Sequence, residues 1–204
     1  MIKFKSLSDD FCHSYLICRF DTCIIIDPSH SYDAMIESLN GRKLAGILLT
    51  HAHSDHVHLI GEFDVPIYMH TEDAHLLFED QYNGYTPKAH PYKRKQLVFN
   101  YVKHGDKIPL ADQWIEVFHT PGHTKGGLSF LFEGKLFTGD TLFKGSVGRH
   151  DLYSGNLSEL KRSILFLCGL PGNTKVYPGH DQETSIRNEQ KDNPFYQKWL
   201  KQSK

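Results

Sequence analysis

The chain is 204 residues long, a length that suits one domain over residues 1–204 and is enough to bury a core without disulfide or metal staples. Hydrophobic residues make up 39% and charged residues 23%, which excludes a disordered tail and a membrane-spanning bundle. Lysine plus arginine number 23 against 24 acidic residues, a net charge of -1, so no global basic field exists for nonspecific nucleic-acid binding. The 14 histidines are the conspicuous count.

In chain order, residues 12–20 and 22–26 read as two short strands joined by a turn at Phe20-Asp21-Thr22, with Asp27-Pro28 ending the second. Ser31 is placed to cap a helix running to Leu39, with Gly41 as its stop. Residues 44–49 are a continuous apolar run, as expected of a strand buried on both faces. A short strand at 65–69 comes next, then a helix capped by Thr71. Residues 81–96 are polar and irregular and read as a long surface loop. Strands are expected at 97–102, 114–119, 128–132 and 135–138. A helix at 157–168 capped by Asn156, a strand at 175–177 and a last helix at 183–190 complete the pattern. This order predicts two sheets with helices outside, not the steady alternation of a doubly wound sheet.

The four cysteines, Cys12, Cys18, Cys23 and Cys168, form no C-x-x-C pair and read as buried, inert thiols. The N-terminus has no long apolar core of a signal peptide, and no stretch is long enough to span a bilayer. A reducing cytoplasm is the expected setting.

Three histidine-bearing segments fall at the ends of expected strands: Thr50-His51-Ala52-His53-Ser54-Asp55-His56, Thr120-Pro121-Gly122-His123 and Pro178-Gly179-His180. A fourth strand runs into Gly139-Asp140. Strand ends on one rim are where loops converge. In extended chain His51 and His53 project to one side, and a turn at Ser54 brings Asp55 and His56 round. Imidazole and carboxylate without thiolate suit zinc, and suit iron or manganese as well. Five histidines and two aspartates are too many for one tetrahedral ion and right for two, if Asp140 bridges. By chance H-x-H-x-D-H is expected roughly 0.005 times in a chain of this length and histidine content.

THAHSDH, TPGHTKGG, FTGDTLF, GSVGRHD and YPGH, in that order, resemble the metallo-β-lactamase superfamily. They are most similar to its glyoxalase II-like (hydroxyacylglutathione hydrolase-like) branch, and Asn193-Pro194-Phe195 is similar to that group too. The resemblance implies an α/β fold, an αββα sandwich with a dinuclear site on one edge. It implies His51, His53 and His123 on one metal ion, Asp55, His56 and His180 on the other, and Asp140 bridging them. Asp27 matches a strand-end aspartate that orients the ligand loop. The ions are expected to be zinc, with iron or manganese compatible. They would share a water whose pKa they lower, and the resulting bridging hydroxide would attack an acyl carbon. Asp55 and Asp140 are the candidate catalytic carboxylates, and Arg149 resembles the basic substrate-contacting residue of the branch.

This sequence also departs from the family pattern. His58 stands where a small residue is usual, and Lys125 replaces a small residue or proline. Only a short helix and a polar tail are expected after His180, so the glutathione-gripping extension of larger relatives is missing. The expected activity is hydrolysis of S-lactoylglutathione or a related 2-hydroxyacyl thioester. A mononuclear-iron persulfide dioxygenase, or a lactone or phosphodiester hydrolase, is the alternative. The expected partner is a small-molecule thioester, without nucleic acid or membrane, for a monomer or small homo-oligomer.

Overall fold

The structure, a computed structural model, describes residues 1–5, 11–84 and 97–202. The first half of the chain forms β1 (Ile2–Phe4), β2 (Ser14–Arg19), β3 (Thr22–Ile26), α1 (Tyr32–Leu39), β4 (Lys43–Leu48), α2 (Ser54–Val57), β5 (Ile67–Met69), α3 (Asp80–Asn83) and β6 (Phe99–Tyr101). The second half forms β7 (Lys107–Leu110), β8 (Gln113–His119), β9 (Leu128–Phe132), β10 (Lys135–Gly139) and a ribbon of β11 (Leu142–Phe143) and β12 (Ser146–Val147). It closes with α4 (Leu157–Leu167), β13 (Lys175–Pro178), β14 (Thr184–Ser185), α5 (Ile186–Asp192) and α6 (Pro194–Gln202).

The strands make two six-stranded sheets, ordered β1-β2-β3-β4-β5-β6 and β14-β13-β10-β9-β8-β7. Alternation along the strands explains why they stack. Ile24 and Ile26 of β3 face the second sheet, with Tyr15, Ile17 and Leu48, and meet Val117, Leu128, Phe130 and Phe137 there. Their neighbours Cys23 and Ile25 face the other way, onto Met35 of α1 and Val57 of α2. On the far side of the second sheet, Leu136 and Val176 pack against Leu160, Ile164 and Leu167 of α4, Ile186 of α5 and Trp199 of α6. Three apolar layers between four structural layers make an αββα sandwich. A one-residue slip of β3 would exchange the side chains of two of those layers, so its register is firmly set.

Several expected elements differ from the observed ones. Ser31 does not cap α1 with its side chain; its φ is 66°, and its hydroxyl lies 2.6 Å from His30 Nδ1. The segment from Thr71 to Leu77 is a 3-10 helix, capped by His70, whose ring accepts the Glu72 N–H. Asn156 does cap α4, its side chain accepting the Glu159 N–H at 3.0 Å. Of the expected loop, 81–83 belong to α3 and 85–96 lie outside the described residues. After His180 the chain forms a strand and two helices, not one short helix with a polar tail.

The reading of all four cysteines as inert thiols is corrected. Cys18 and Cys23 form a disulfide, because the antiparallel register of β2 and β3 sets them directly opposite one another. Cys12 and Cys168 are free and buried. Among the described residues no helix is long and apolar enough to cross a membrane.

Candidate metal centre

Both sheets deliver polar side chains to one rim. β3 and β4 are parallel neighbours, so Asp27, just past β3, lies beside Thr50, just past β4. Residues 51–53 leave the sheet without helical structure, and α2 then turns Asp55 and His56 back toward them. In the second sheet β8 and β10 each run antiparallel to β9, and β10 is parallel to β13. β8, β10 and β13 therefore point the same way. The chain beyond their ends carries His123, Asp140 and His180.

These side chains converge. His53 Nδ1 lies 3.1 Å from His51 Nε2 and 3.0 Å from His123 Nε2. Asp55 Oδ2 lies 3.0 Å from His180 Nε2 and 3.5 Å from His56 Nε2. Asp140 stands between the two groups: its Oδ1 is 3.3 Å from His56 Nε2, and its Oδ2 is 3.7 Å from both His123 Nε2 and His180 Nε2. Donor atoms of a tetrahedral ion bound at ~2.0–2.1 Å are spaced by roughly 3.3 Å, so both triads have the spacing to hold one. Within the cluster, the buried His56 Nε2 and Asp140 Oδ1 have no hydrogen-bond partner. Orphaned buried acceptors facing each other are costly unless a cation lies between them. The donor set therefore fits divalent metal ions.

The outer edges of the rings are held. Asp27 accepts the Thr50 N–H at 2.8 Å, the Thr50 hydroxyl at 2.6 Å and the His56 Nδ1–H at 2.9 Å. The last bond puts the His56 proton on Nδ1 and frees Nε2. His123 Nδ1 donates to the Arg149 carbonyl at 2.8 Å. Burial, reinforced by the imidazoles of His56, His53, His123 and His180, holds His51 well below its ordinary pKa. Burial, reinforced by His123, brings His53 to about 4. Burial also pushes the Asp140 carboxyl up, but His56, His123 and His180 outweigh it and hold the group below the usual carboxylate range. Burial pushes His56 and His180 down too, but Cys12, Asp55 and Asp140 at His56, and Asp55 and Asp140 at His180, outweigh it and hold both rings up; neutral His51 and His53 and an ionised Asp140 are the forms that bind a cation.

The other sequence candidates lie outside the cluster. The Arg149 side chain is exposed and forms two hydrogen bonds with Asp151, at 3.0 and 2.9 Å; its link to the cluster is its backbone carbonyl. His58 is half-buried and meets the Phe11 ring edge-on. Lys125 pairs with Glu72 at 2.7 Å. Beside the cluster a cavity of about 520 Å³ is lined in part by His53, Ser54, Asp55, Tyr82, Leu152 and Tyr153. Tyr82 and Tyr153 stack at 3.9 Å on its wall. Sequence reasoning missed Thr50 and Asp73. Thr50 was legible as the hydroxyl directly before His51 in the motif. Asp73 carried no such signal: beside Glu72 it looks like an ordinary acidic residue in the first turn of a helix.

A sandwich of this kind, with a buried histidine–aspartate cluster on one rim, defines a metal-dependent hydrolase class. A family model of the metallo-beta-lactamase superfamily matches residues 7–180, and the chain belongs to that superfamily, as a metallo-hydrolase. It is 32% identical to a Bacillus subtilis protein named probable metallo-hydrolase YqgX, over 90% of this chain and 91% of the relative. It is 33% identical to a hydroxyacylglutathione hydrolase of Buchnera aphidicola, over 90% of this chain but 66% of that longer protein. The crystal structure of TTHA1623 in a di-iron-bound form superimposes with a TM-score of 0.81 at 30% identity, covering 96% of this chain and 100% of that one.

Proposed function

We propose that the protein is a dinuclear-metal thioester hydrolase acting on S-lactoylglutathione or a related 2-hydroxyacyl thioester. The observation that supports this most directly is the pairing of two three-residue donor sets, His51-His53-His123 and Asp55-His56-His180, with Asp140 between them. The likeness to a hydroxyacylglutathione hydrolase favours thioesters as the acyl class. Zinc is the proposed metal, with iron the rival in view of the di-iron relative. When bound, two divalent ions supply Lewis acidity and an acidified water.

The chain's own residues do the rest. Asp140 supplies the negative charge between the two triads and fixes their separation. Asp55, partly exposed at the cavity side, is the carboxylate placed to take a proton from an entering water while His180 orients it. The cavity beside His53 and Asp55 receives the substrate, with its reacting carbonyl toward the cluster. A thiolate leaving group, with a conjugate-acid pKa of about 8.5, departs without a general acid. We propose a small-molecule thioester as the partner of a monomer or small homo-oligomer, and the cytoplasm as the site of action, against which the Cys18–Cys23 disulfide counts.

Elemental analysis paired with an S-lactoylglutathione assay tests the reading. Two divalent ions per chain, and turnover that a chelator abolishes and added metal restores, are expected. Asp140→Ala should lose metal and activity together, since it removes the anion between two cations. One iron per chain with oxygen uptake on a persulfide would reject the hydrolase, and full metal content with full rate in Asp140→Ala would reject the bridge.

A further inference from the structure

Asp73 is buried, 1% exposed, in the 3-10 helix after β5. Among the described residues no lysine or arginine pairs with it; its partners are polar groups from two other segments. Oδ2 accepts the Thr124 hydroxyl at 2.7 Å, and Oδ1 accepts the Gly126 N–H at 2.7 Å. The backbone amide of Ala52 also favours the charged form of the same carboxylate. Ala52 separates His51 from His53, and Thr124 is the residue after His123. One carboxylate on the first-sheet side, after β5, thus holds the second-sheet segment that supplies His123, with the Ala52 amide of the His51–His53 segment acting on the same group. The fit leaves no slack: a Cβ on Gly126 would lie 2.6 Å from Asp73 Oδ1, so a glycine is required where the backbone approaches. Neither of these two bonds reaches Asp55, His56 or His180.

We propose that Asp73 is a positioning residue for the three-histidine half of the metal centre. By holding the Thr124 hydroxyl and the Gly126 N–H from the first-sheet side it sets where His123 stands relative to His51 and His53, and so the metal affinity of that half alone. This rests on the reading of the cluster as a two-metal centre. The geometry gives the mechanism. His51 and His53 leave the first sheet, whereas His123 leaves the second, and the spacing of their ring nitrogens depends on what ties the two loops together. The bond from Leu128 N–H to Thr50 C=O at 2.7 Å ties them at their base. Asp73, carried by the 3-10 helix after β5 of the first sheet, holds the His123 loop a second time, beside the cluster. Burial pushes the Asp73 carboxyl up, and the Thr124 hydroxyl and the Gly126 and Ala52 amides oppose that push, as donors to a carboxylate do.

The test uses the full chain loaded with Co²⁺ and equilibrated in graded free-metal buffers, without substrate. Each half is isolated by disabling the other: a His180→Ala background leaves the three-histidine half, and a His123→Ala background leaves the Asp55-His56-His180 half. Asp73→Asn keeps the shape but turns an amide N–H₂ toward a donor. It should weaken Co²⁺ binding about 10–100-fold in the His180→Ala background, with a changed cobalt visible spectrum, and leave the His123→Ala background unmoved. Thr124→Val removes a single donor and should weaken the same half by a smaller factor; it decides the question should Asp73→Asn fail to fold. Equal weakening of both halves would make Asp73 a general fold support, and unchanged affinity and spectrum in the His180→Ala background would remove it from the site; either result overturns the proposal. Because no substrate is present, failure here is distinguishable from failure of S-lactoylglutathione hydrolysis.

Discussion

Asp27 shows how much of the centre depends on single atoms outside the ligand set. Its carboxylate is 2% exposed, and its φ of 49° is in the left-handed region, a conformation that costs an ordinary residue free energy and persists where contacts over-determine it. The contacts here are the three bonds to Thr50 and His56. Asp27→Asn must turn an N–H₂ toward at least one of those donors. It is expected to loosen His56 and weaken metal binding on the order of 10–100-fold, read by competition against a chromophoric chelator. Unchanged affinity would show that the His56 tautomer is set elsewhere. The seven candidate ligand positions were legible because H-x-H-x-D-H is rare and the other three residues stand at strand ends. Arg149 was legible only as a side chain. Its contribution to the cluster is a carbonyl oxygen accepting from His123, and a backbone atom leaves no mark on residue type.

At the scale of elements, α4 and the loop between β8 and β9 form one unit. The Ser163 hydroxyl donates to the Pro121 carbonyl at 2.7 Å, and the Asn156 N–H donates to the Gly122 carbonyl at 2.9 Å. Gly122 has φ of 133°, and a Cβ there would lie 2.2 Å from the backbone nitrogen of Leu160. Gly122→Ala combines a disfavoured backbone with a collision against a helix that cannot yield locally. Its cost should exceed the ~1 kcal/mol typical of point substitutions, visible as a lowered denaturant midpoint. A midpoint equal to the parent's would mean that α4 slides without penalty. Elements with a clear period and a cap, such as β3, β9 and α4, could be read from sequence nearly to the residue. The two-residue strands β11, β12 and β14 are too short to show any period. α6 had a readable signal of another kind: Asn193 accepts the N–H groups of Phe195 and Tyr196 at 3.0 and 3.1 Å, with Pro194 at the first helical position. Its nine residues bury only Trp199, so hydrophobic spacing alone did not reveal it.

For the whole molecule, the candidate centre lies where two independently packed sheets meet, and its candidate ligands come from both. His51, His53, Asp55 and His56 come after β4 of the first sheet, whereas His123, Asp140 and His180 come after strands of the second. Without metal, the rim brings two carboxylates and five imidazoles close together, with His56 Nε2 and Asp140 Oδ1 buried and unpartnered. The apolar layer between the sheets must offset that cost. Metal binds the folded arrangement and not the dispersed ligands of the unfolded chain, so the free energy of binding adds to that of folding. Free metal at 100 times its dissociation constant should add about 2.7 kcal/mol per site. The melting temperature should therefore fall on chelation, recover on adding Zn²⁺, and rise further as free Zn²⁺ increases. The Cys18–Cys23 disulfide predicts a much weaker dependence. It closes a span of five residues within one hairpin, so it removes little entropy from the unfolded chain, and a reductant that does not bind metal should shift the melt far less than a chelator does. A melt insensitive to chelation, or one lowered more by reduction than by metal removal, would mean that the two sheets hold the rim together without the ions.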